Sequence, residues 1–384
     1  MMDKKVLVEN AIAKIEENTT KRQLEAAKLY FAAKEGDIRA RVTLQEGIST
    51  SDVPTLLQPA INVEFLSKYA VQPTVWNQIA DEKQIEFGQE YKFGNFVIDA
   101  STLTGGAGTE HTVGGLPVVP EYAEYPAVKF STSSSSMKLE NKKGIRARLS
   151  WEALRKSGNF DLINEFTSYF AVAAAREEDN VLAKQFVTSA GAAASAWSGK
   201  GISGNPALSG DVNAALEALG AAKQASRLFK VDGNPIAVNQ WKLVYGTGLS
   251  ATVDKLFNLQ GVSHRQTTTD GTLDFAVNPG VYTGGINPIE FPALDTISGG
   301  TTDDFWFLVP VNPVRPNFHE FFLTGERAPL ITIKDSGHMS LAGGEVPVRE
   351  GSFDEDDIQT RVRHLVEAGT MNSDGFVYST GAGA

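Results

Sequence analysis

The residues best suited to acid–base or metal chemistry are five histidines, and they stand far apart along the chain. None is spaced from another as the ligands of a metal site on one helix or hairpin are. Each is therefore interpreted as a packing or surface residue and not as a metal ligand or catalytic base. These residues are His111, His264, His319, His338 and His364.

Three short segments match part of a catalytic or binding motif, and each lacks the rest. Residues 198–200 end in Gly-Lys without the glycine spacing of a phosphate loop. The acidic run 354–357 resembles the start of a calcium loop, but Gln359 stands where that loop needs glycine. Residues 135–138 have the S-x-x-K spacing without its companion motifs. We predict no catalytic residue, no cofactor, no cofactor-binding residue and no metal ligand.

The composition excludes several classes of chemistry. The 384 residues include no cysteine, which rules out disulfides, thiolate zinc sites and cysteine nucleophiles, and fits synthesis in a reducing cytoplasm. The net charge of −11 argues against neutralisation of phosphates by a basic surface, although an acidic wall could enclose DNA without binding it. No apolar run is long enough to cross a bilayer, so we expect no membrane partner.

The longest regular pattern predicts a helix over residues 161–186, with Asp161 as a possible cap. At 1.5 Å per residue, about 25 residues reach about 38 Å, which suits a helix that spans a domain. Its apolar stripe includes Phe166 and Phe170, and its charged face includes Arg176, Glu177, Glu178 and Asp179.

Residues 84–140 predict two long strands joined by a glycine-rich tip, with the first strand running from Ile85 to Ile98. A lone two-stranded ribbon is marginal in water, so it needs another surface, which in an oligomer is a neighbouring subunit. An edge hairpin packed on its own domain is the alternative. The residues taken to contact the neighbour, or to let the tip bend, are Phe87, Tyr91, Phe93, Gly105, Gly106, Gly108, Tyr122, Tyr125 and Phe130.

The remaining elements mix helices and strands, which indicates an α+β protein. Residues 1–45 predict an amphipathic helix, either solvated or an arm that docks on a neighbouring subunit. The other expectations are an apolar core segment at 60–82, a short helix from Leu149 to Leu154, a helix at 211–230, a strand at 235–238, short strands within 250–350, and a last strand at 376–378. Periodicity alone leaves 358–366 open between strand and helix.

The order of these elements resembles the tailed-bacteriophage major capsid protein, which has the Hong Kong 97-type fold. The stretch from Ile145 to Leu154, leading into Asp161, looks like the junction between the extended loop and the spine helix of that family. Glu177 to Asp179 look like the acidic end of the spine helix. Residues 357–378 resemble the closing strands, which favours a strand at 358–366.

The resemblance implies an α+β Hong Kong 97-type capsid fold with four parts. These are an N-terminal arm (1–60), an extended β-hairpin loop (84–140), a peripheral domain with the long spine helix (61–83, 141–199 and 321–384) and an axial domain (200–320).

The resemblance also implies a structural protein and not an enzyme. Copies would form pentamers and hexamers that close into an icosahedral shell and enclose double-stranded DNA without sequence-specific binding. Portal and scaffolding proteins would be partners, and assembly in the host cytoplasm would place the chain in the virion. Some relatives weld subunits through a lysine of the extended loop, but residues 101–128 contain no lysine, so we expect no crosslink from the tip.

Three other interpretations stay open. An encapsulin-like compartment would share the fold but hold protein cargo, and the charged first 45 residues favour the phage reading over it. A soluble hydrolase could bring carboxylates together from distant positions, although no motif supports it. A phage tail protein fits less well because of the long central helix.

Overall fold

The computed structural model describes most of the chain, and structural statements below concern that part. The described residues are 19–35, 37–40, 58–98, 130–150, 160–208, 211–231, 234–235, 238–258, 262–268, 271–277, 280–300, 304–311, 316–334, 339–341, 344–346 and 357–381, with the single residues Ala13, Ile15, Glu17 and Thr43. The predicted glycine-rich tip, with Gly105, Gly106, Gly108, Tyr122 and Tyr125, lies outside them.

The helices of the described part include the two long ones that the apolar periodicity predicts. They are α1 (Lys21–Lys34), α2 (Gln58–Val71), α3 (Trp76–Ile79), α4 (Phe160–Ala183), α5 (Val212–Leu228), α6 (Ser250–Asn258), α7 (Gly280–Thr283) and α8 (Ala293–Ser298). The spine helix predicted over 161–186 is α4, and the helix predicted over 211–230 is α5, whose N-cap is Asp211. None of the helices described is long and apolar enough to cross a membrane.

Most of the strands are short. They are β1 (Asp81–Ile85), β2 (Glu90–Ile98), β3 (Phe130–Lys138), β4 (Lys143–Ser150), β5 (Lys230–Val231), β6 (Asn234–Pro235), β7 (Trp241–Tyr245), β8 (Val262–Thr268), β9 (Gly271–Val277), β10 (Ile286–Glu290), β11 (Trp306–Pro310), β12 (Phe318–Leu323), β13 (Leu330–Lys334), β14 (Met339–Leu341), β15 (Gly344–Val346), β16 (Asp357–His364), β17 (Val366–Thr370) and β18 (Val377–Ser379).

Three sheets of three or more strands organise the chain, and each takes one strand from residues 357–379. Their strand orders are β13-β16-β4, β1-β12-β17 and β10-β7-β11-β18. In the first, β16 is the central strand and pairs antiparallel with both neighbours. Helix and sheet therefore mix throughout, which confirms the α+β prediction, and the strand at 358–366 that the resemblance favours is confirmed over the helix.

An aromatic core joins the end of α4 to the last strands. The rings of Trp197 and Phe376 stack with centroids 4.4 Å apart, and Phe186 lies 4.9 Å from Phe318. Phe307 of β11 lies 4.7 Å from Trp197. Such ring pairs add to the free energy gained from burying their area. The Gly/Ala/Ser-rich stretch after α4 is thus fixed at Trp197, which is fully buried.

Several local predictions are wrong, for reasons of long-range pairing. The aromatic run from Ile85 to Ile98 is two strands and not one, because Ile85 ends β1, which pairs in parallel with β12. Leu149 and Ser150 end β4 instead of beginning a short helix. Of the strand predicted at 235–238, Pro235 lies in β6 and Val238 lies outside the strands, while residues 236 and 237 lie outside the described part of the chain. Val71, predicted as core, is 74% exposed.

Candidate functional site

The ribbon predicted within 84–140 is formed by β2 and β3. The two strands pair antiparallel from Glu90 opposite Lys138 to Ile98 opposite Phe130. Within the described part of the chain, they hydrogen-bond to each other and to no further strand. At about 3.4 Å per residue, nine paired residues extend about 30 Å. The ribbon therefore forms one long two-stranded element, which the rest of the chain holds at its root.

The root of the ribbon is anchored by a small apolar cluster. The ring of Tyr91 lies 5.4 Å from that of Phe321, and Leu139 is completely buried. A tight turn joins β1 to β2, and Gly88 within it has a φ of 75°, a conformation that glycine adopts without strain. The Gly88 N–H donates to the carbonyl of Leu139 at 3.0 Å, which ties the turn to the returning strand.

The predicted neighbour-contacting aromatics have different surroundings. Phe87 stands in the turn and its side chain is 58% exposed. Tyr91 is half-buried against Phe321 of its own chain, so part of its ring is already covered. Phe93 and Phe130 belong to the paired strands β2 and β3. Contact of these residues with a neighbouring subunit stays a prediction.

Glu178 of α4 lies at the centre of a buried hydrogen-bond cluster. Its Oε1 accepts from the hydroxyl of Tyr69 on α2, from Nη1 of Arg327 at 3.1 Å and from Nε2 of His364 at 3.1 Å. Its Oε2 accepts from Nε1 of Trp76 at 2.9 Å. One carboxylate thus joins four separate parts of the chain to the spine helix.

The next residue of the helix, Asp179, completes the same junction. Its Oδ1 accepts from the backbone N–H groups of Val75 and Trp76, each at 2.9 Å, where helix α3 begins. Backbone donors at the first turn of a helix have no partner within the helix, so a carboxylate there is stabilising. The sequence placed Glu178 and Asp179 on a charged outer face, and that interpretation is wrong because both carboxylates serve interior donors.

Arg327 is the cation of the cluster. It lies 3.2 Å from Glu82 as well as pairing with Glu178, and its guanidinium lies 3.4 Å from the centroid of the Phe322 ring. Although burial opposes its charge, Glu178 and Tyr69 raise the pKa of Arg327 above its ordinary value. Burial lowers the pKa of His364, in spite of its bond to Glu178. Because a carboxylate oxygen can only accept, the Nε2 of His364 that faces Glu178 acts as the donor.

Glu320 of β12 lies against this cluster without a hydrogen-bond partner among the described residues. Its side chain is completely buried, and it stands opposite Glu82 in the pairing of β12 with β1. Burial, followed by repulsion from Glu178, raises the pKa of Glu320 well above its ordinary value, and Arg327 opposes that shift only in part. Its surroundings therefore favour the neutral acid over the carboxylate.

A second buried carboxylate docks helix α1 onto α2. The Tyr30 hydroxyl donates to Oε2 of Glu64 at 2.6 Å, and the ammonium groups of Lys34 and Lys68 lie 2.7 and 2.6 Å from Oε1. Burial alone would raise the pKa of Glu64, but the hydrogen bonds from Lys34, Lys68 and Tyr30 lower it overall. The predicted amphipathic helix is confirmed over 21–34, and its apolar face packs on its own chain.

The other predicted spine residues divide between core and surface. Phe170 is buried, and Phe166 is half-buried beside it with ring centroids 6.3 Å apart. Glu177 lies about two turns beyond Phe170, on the same side of the helix, and pairs with Lys143 of β4 at 3.1 Å. Its side chain is 30% exposed, so the sheet that carries Lys143 covers part of it.

These arrangements stabilise the fold and offer no obvious reaction. The carboxylates of Glu178 and Asp179 accept hydrogen bonds from their own chain. No group of three or more possible metal ligands occurs in the described residues. Sequence reasoning missed Tyr69 and Arg327, because their partner Glu178 lies more than one hundred positions away in the sequence. It also missed Glu320, because the residues that bury it come from other elements of the chain. A glutamate on strand β12 between His319 and Phe321 was the only available signal, as a polar residue within an apolar run.

The long helix, the ribbon and the three sheets together define a capsid-type α+β fold. A family model described as phage capsid protein matches residues 137–379, which is more than half of the sequence. The chain belongs to this phage capsid protein family, and with that the Hong Kong 97-type fold expected from the order of elements is confirmed. No curated protein matches the sequence significantly.

Solved structures with a similar course of the chain come from phages and from cellular compartments. A structure from Mycobacterium phage Che8 is 13% identical with a TM-score of 0.44, over 81% of this chain and 93% of the other. The capsid of cyanophage P-SCSP1u is 10% identical with a TM-score of 0.46, over 80% and 88%. The holo-SrpI encapsulin complex of Synechococcus elongatus is 9% identical with a TM-score of 0.41, over 88% and 94%.

Proposed function

We propose that this capsid protein is the major head protein that self-assembles into pentamers and hexamers of an icosahedral shell enclosing double-stranded DNA. The observation that carries the proposal is the ribbon of β2 and β3, which extends about 30 Å as two strands. A two-stranded ribbon is marginal in water unless it lies on another surface. In a closed shell a neighbouring subunit provides that surface, and each contact is repeated by symmetry.

The proposed domain bounds assign the sheets as follows, although β1 and β12 each cross a bound by two or three residues. The peripheral domain (61–83, 141–199 and 321–384) holds the spine helix, the sheet β13-β16-β4 and the sheet β1-β12-β17. The axial domain (200–320) holds the sheet of β7, β10 and β11, which the last strand β18 joins. The extended loop (84–140) and the arm (1–60) would then contact neighbouring subunits. The described part of the arm, α1, also has a docking surface on its own chain at Glu64.

The protein would act as a structural component and not as an enzyme. The buried clusters around Glu178 and Glu64 support this role because they fix α4, α2 and α1 to one another. A subunit of a shell depends on such hydrogen bonds and ion pairs between its own elements more than on a reactive cleft. Portal and scaffolding proteins are the further partners that this function requires, and assembly would take place in the host cytoplasm before the chain becomes part of the virion.

The first test is negative-stain microscopy with light scattering on the purified chain, with and without co-expressed scaffolding protein. Closed shells, or pentamers and hexamers, are the expected result. A monomer that stays monomeric under both conditions would contradict the proposal. Duplex DNA in mature particles would support the phage shell, whereas a defined protein cargo would support the encapsulin-like alternative.

The second test removes residues 103–116 from the tip of the loop. We expect a folded monomer with an unchanged circular dichroism spectrum that no longer forms shells, because the deletion shortens the element that reaches the neighbour. Normal shell formation by this variant would show that the loop is not the contact. Denaturing gels of mature particles should show single chains, since residues 101–128 contain no lysine for a crosslink.

A further inference from the structure

A cavity of about 260 Å³ lies between helix α4 and the sheet β13-β16-β4. Small residues leave this space, namely Gly144 of β4 and Ala173 and Ala174 of α4, and Ile145 and Val362 complete an apolar wall. One side opens to solvent, where Ile145 is 40% exposed. An apolar cavity of about 150 Å³ is enough to bind benzene, so this one has room for one aromatic ring with a short polar group.

A buried histidine of this cavity has one nitrogen without a partner. His364 of β16 lines the cavity and is only 4% exposed. Its Nε2 donates to Glu178, whereas its Nδ1 has no hydrogen-bond partner among the described residues. Burial lowers the pKa of His364 and so favours the neutral imidazole, in which Nδ1 has a lone pair that can accept. Buried polar atoms nearly always have a partner, which indicates a ligand with a donor group.

The charged end of the cavity has more carboxylates than cations. Nζ of Lys143 lies 3.1 Å from Oε1 of Glu177 and 3.8 Å from Oε2 of Glu367. One ammonium group thus faces two carboxylates, and Oε1 of Glu367 has no hydrogen-bond partner in the described part of the chain. The nearby carboxylate of Glu178 is balanced by Arg327. The surplus of negative charge and of acceptors favours a cation over a neutral or anionic ligand.

We propose that this cavity binds a small organic cation, an amidine or primary amine that carries one ring or a short alkyl chain. An N–H group of the cation donates to Nδ1 of His364, and Glu177 neutralises its charge. The apolar part of the ligand lies against Ala173 and Ile145. The bound cation joins the spine helix to β4 and β16, so it stabilises the folded subunit. This inference needs only the folded chain and is independent of the proposed shell function.

Benzamidine is the probe, because it combines one aromatic ring with an amidinium group. We expect it to bind the unassembled full-length chain at neutral pH with a dissociation constant below about 1 mM, measured by isothermal titration calorimetry. Benzamide has nearly the same shape without the charge, and benzoate has the opposite charge. Both should bind at least about tenfold more weakly, because hydrogen bonds from a charged donor are the stronger ones.

Two substitutions of alanine by leucine test the location of the site. Ala173→Leu fills the cavity with a larger apolar side chain, so it should abolish binding of benzamidine. Ala225→Leu makes the same change at an exposed position of α5 and should bind benzamidine like the wild type. Circular dichroism checks the fold of both variants.

Glu177→Gln tests the charge while it leaves the cavity open. The remaining carboxylate of Glu367 then balances Lys143, so benzamidine should bind about tenfold less tightly, close to the affinity of benzamide. This variant keeps the inference testable if Ala173→Leu does not fold. In the wild type, the nitrogen NMR signal of Nδ1 of His364 should shift on binding. The Nδ1 signal of His319, which lies 3.2 Å from the carbonyl oxygen of Asp81, should stay in place.

The contrary results are distinct from one another. Absence of benzamidine binding would show that the cavity holds only water. Equal affinity for benzamidine and benzamide would show that shape, and not charge, selects the ligand. Equal binding to the wild type and to Ala173→Leu would place the cation elsewhere on this acidic chain. Each of these results would overturn the inference, whereas binding as expected supports it whether or not the chain forms shells.

Discussion

Nη1 of Arg327 lies 3.1 Å from Oε1 of Glu178, and both side chains are buried near the C-terminal end of the spine helix. A buried ion pair compensates the loss of hydration only while both partners are present. The same carboxylate also receives Tyr69, Trp76 and His364, so a change at Glu178 affects four contacts together.

Glu178→Gln should lower the free energy of unfolding by about 3–5 kcal/mol, because it removes the carboxylate that pairs with the buried Arg327 cation at Nη1. Urea unfolding of the unassembled subunit measures this. Glu177→Gln is the matched control on the same helix, where loss of the partly exposed pair with Lys143 should cost about 1 kcal/mol or less. Equal effects of the two variants would show that the buried pair is not special.

Glu320 predicts a loss of stability as the pH rises. The pKa of Glu320 is raised in the folded chain, so the neutral acid is favoured there. The contribution of Glu320 to the stability of the folded chain is complete below the ordinary carboxyl pKa. It is lost as the pH rises through the raised pKa that Glu320 has in the folded chain. Glu320→Gln should remove this part of the pH dependence, which thermal unfolding across the neutral and alkaline range measures. An unchanged pH profile in the variant would contradict the assignment.

Tyr30→Phe should loosen helix α1. It removes the donor to Oε2 of Glu64 while Lys34 and Lys68 remain, and it should cost about 1–2 kcal/mol. Faster proteolytic cleavage within residues 1–45 is the expected observation. Tyr169→Phe provides the control, because that ring is 62% exposed and its change should leave cleavage as it was. Equal cleavage of the two variants would exclude a docking role for the Tyr30 hydroxyl.

Gly144→Ala should destabilise the sheet β13-β16-β4. A Cβ at Gly144 would lie 2.5 Å from the carbonyl oxygen of Val362, so the backbones of β4 and β16 would have to separate. Strain of this kind costs about 1–3 kcal/mol. Gly201→Ala is the control, since its Cβ would meet only the Tyr378 ring at 3.5 Å. Chemical denaturation of both variants gives the comparison, and equal stability would show that the strands adjust without cost.

The elements that the sequence predicted well are those set by local pattern. The apolar spacing from Leu162 onward predicted α4 to within a few residues, and Asp211 predicted the start of α5. Turn residues at 373–375 predicted the last strand. In each case the side chains that decide the structure lie within one or two turns of one another in sequence.

The misassigned residues are those whose environment is made by distant segments. Ile85 belongs to β1 because β12, more than two hundred positions later, pairs with it. Glu178 reads as one of three consecutive acidic residues on a solvated face, yet Tyr69, Arg327 and His364 converge on it from three other elements. Periodicity describes one element at a time and cannot report such convergence. Likewise, Arg146 and Arg361 become neighbours only through the register of β4 with β16, which the sequence pattern does not give.

The strands of residues 357–379 have a consequence for biosynthesis. Each of the three larger sheets takes one strand from this stretch, and β16 is the central strand of its sheet. A nascent chain that stops before residue 357 lacks the partner of β4, the edge beside β12 and the edge beside β11. Interrupted translation products therefore cannot complete any of these sheets, and they cannot bring Arg361 beside Arg146. Such fragments would stay unfolded and be degraded before they could enter a growing shell and block its assembly.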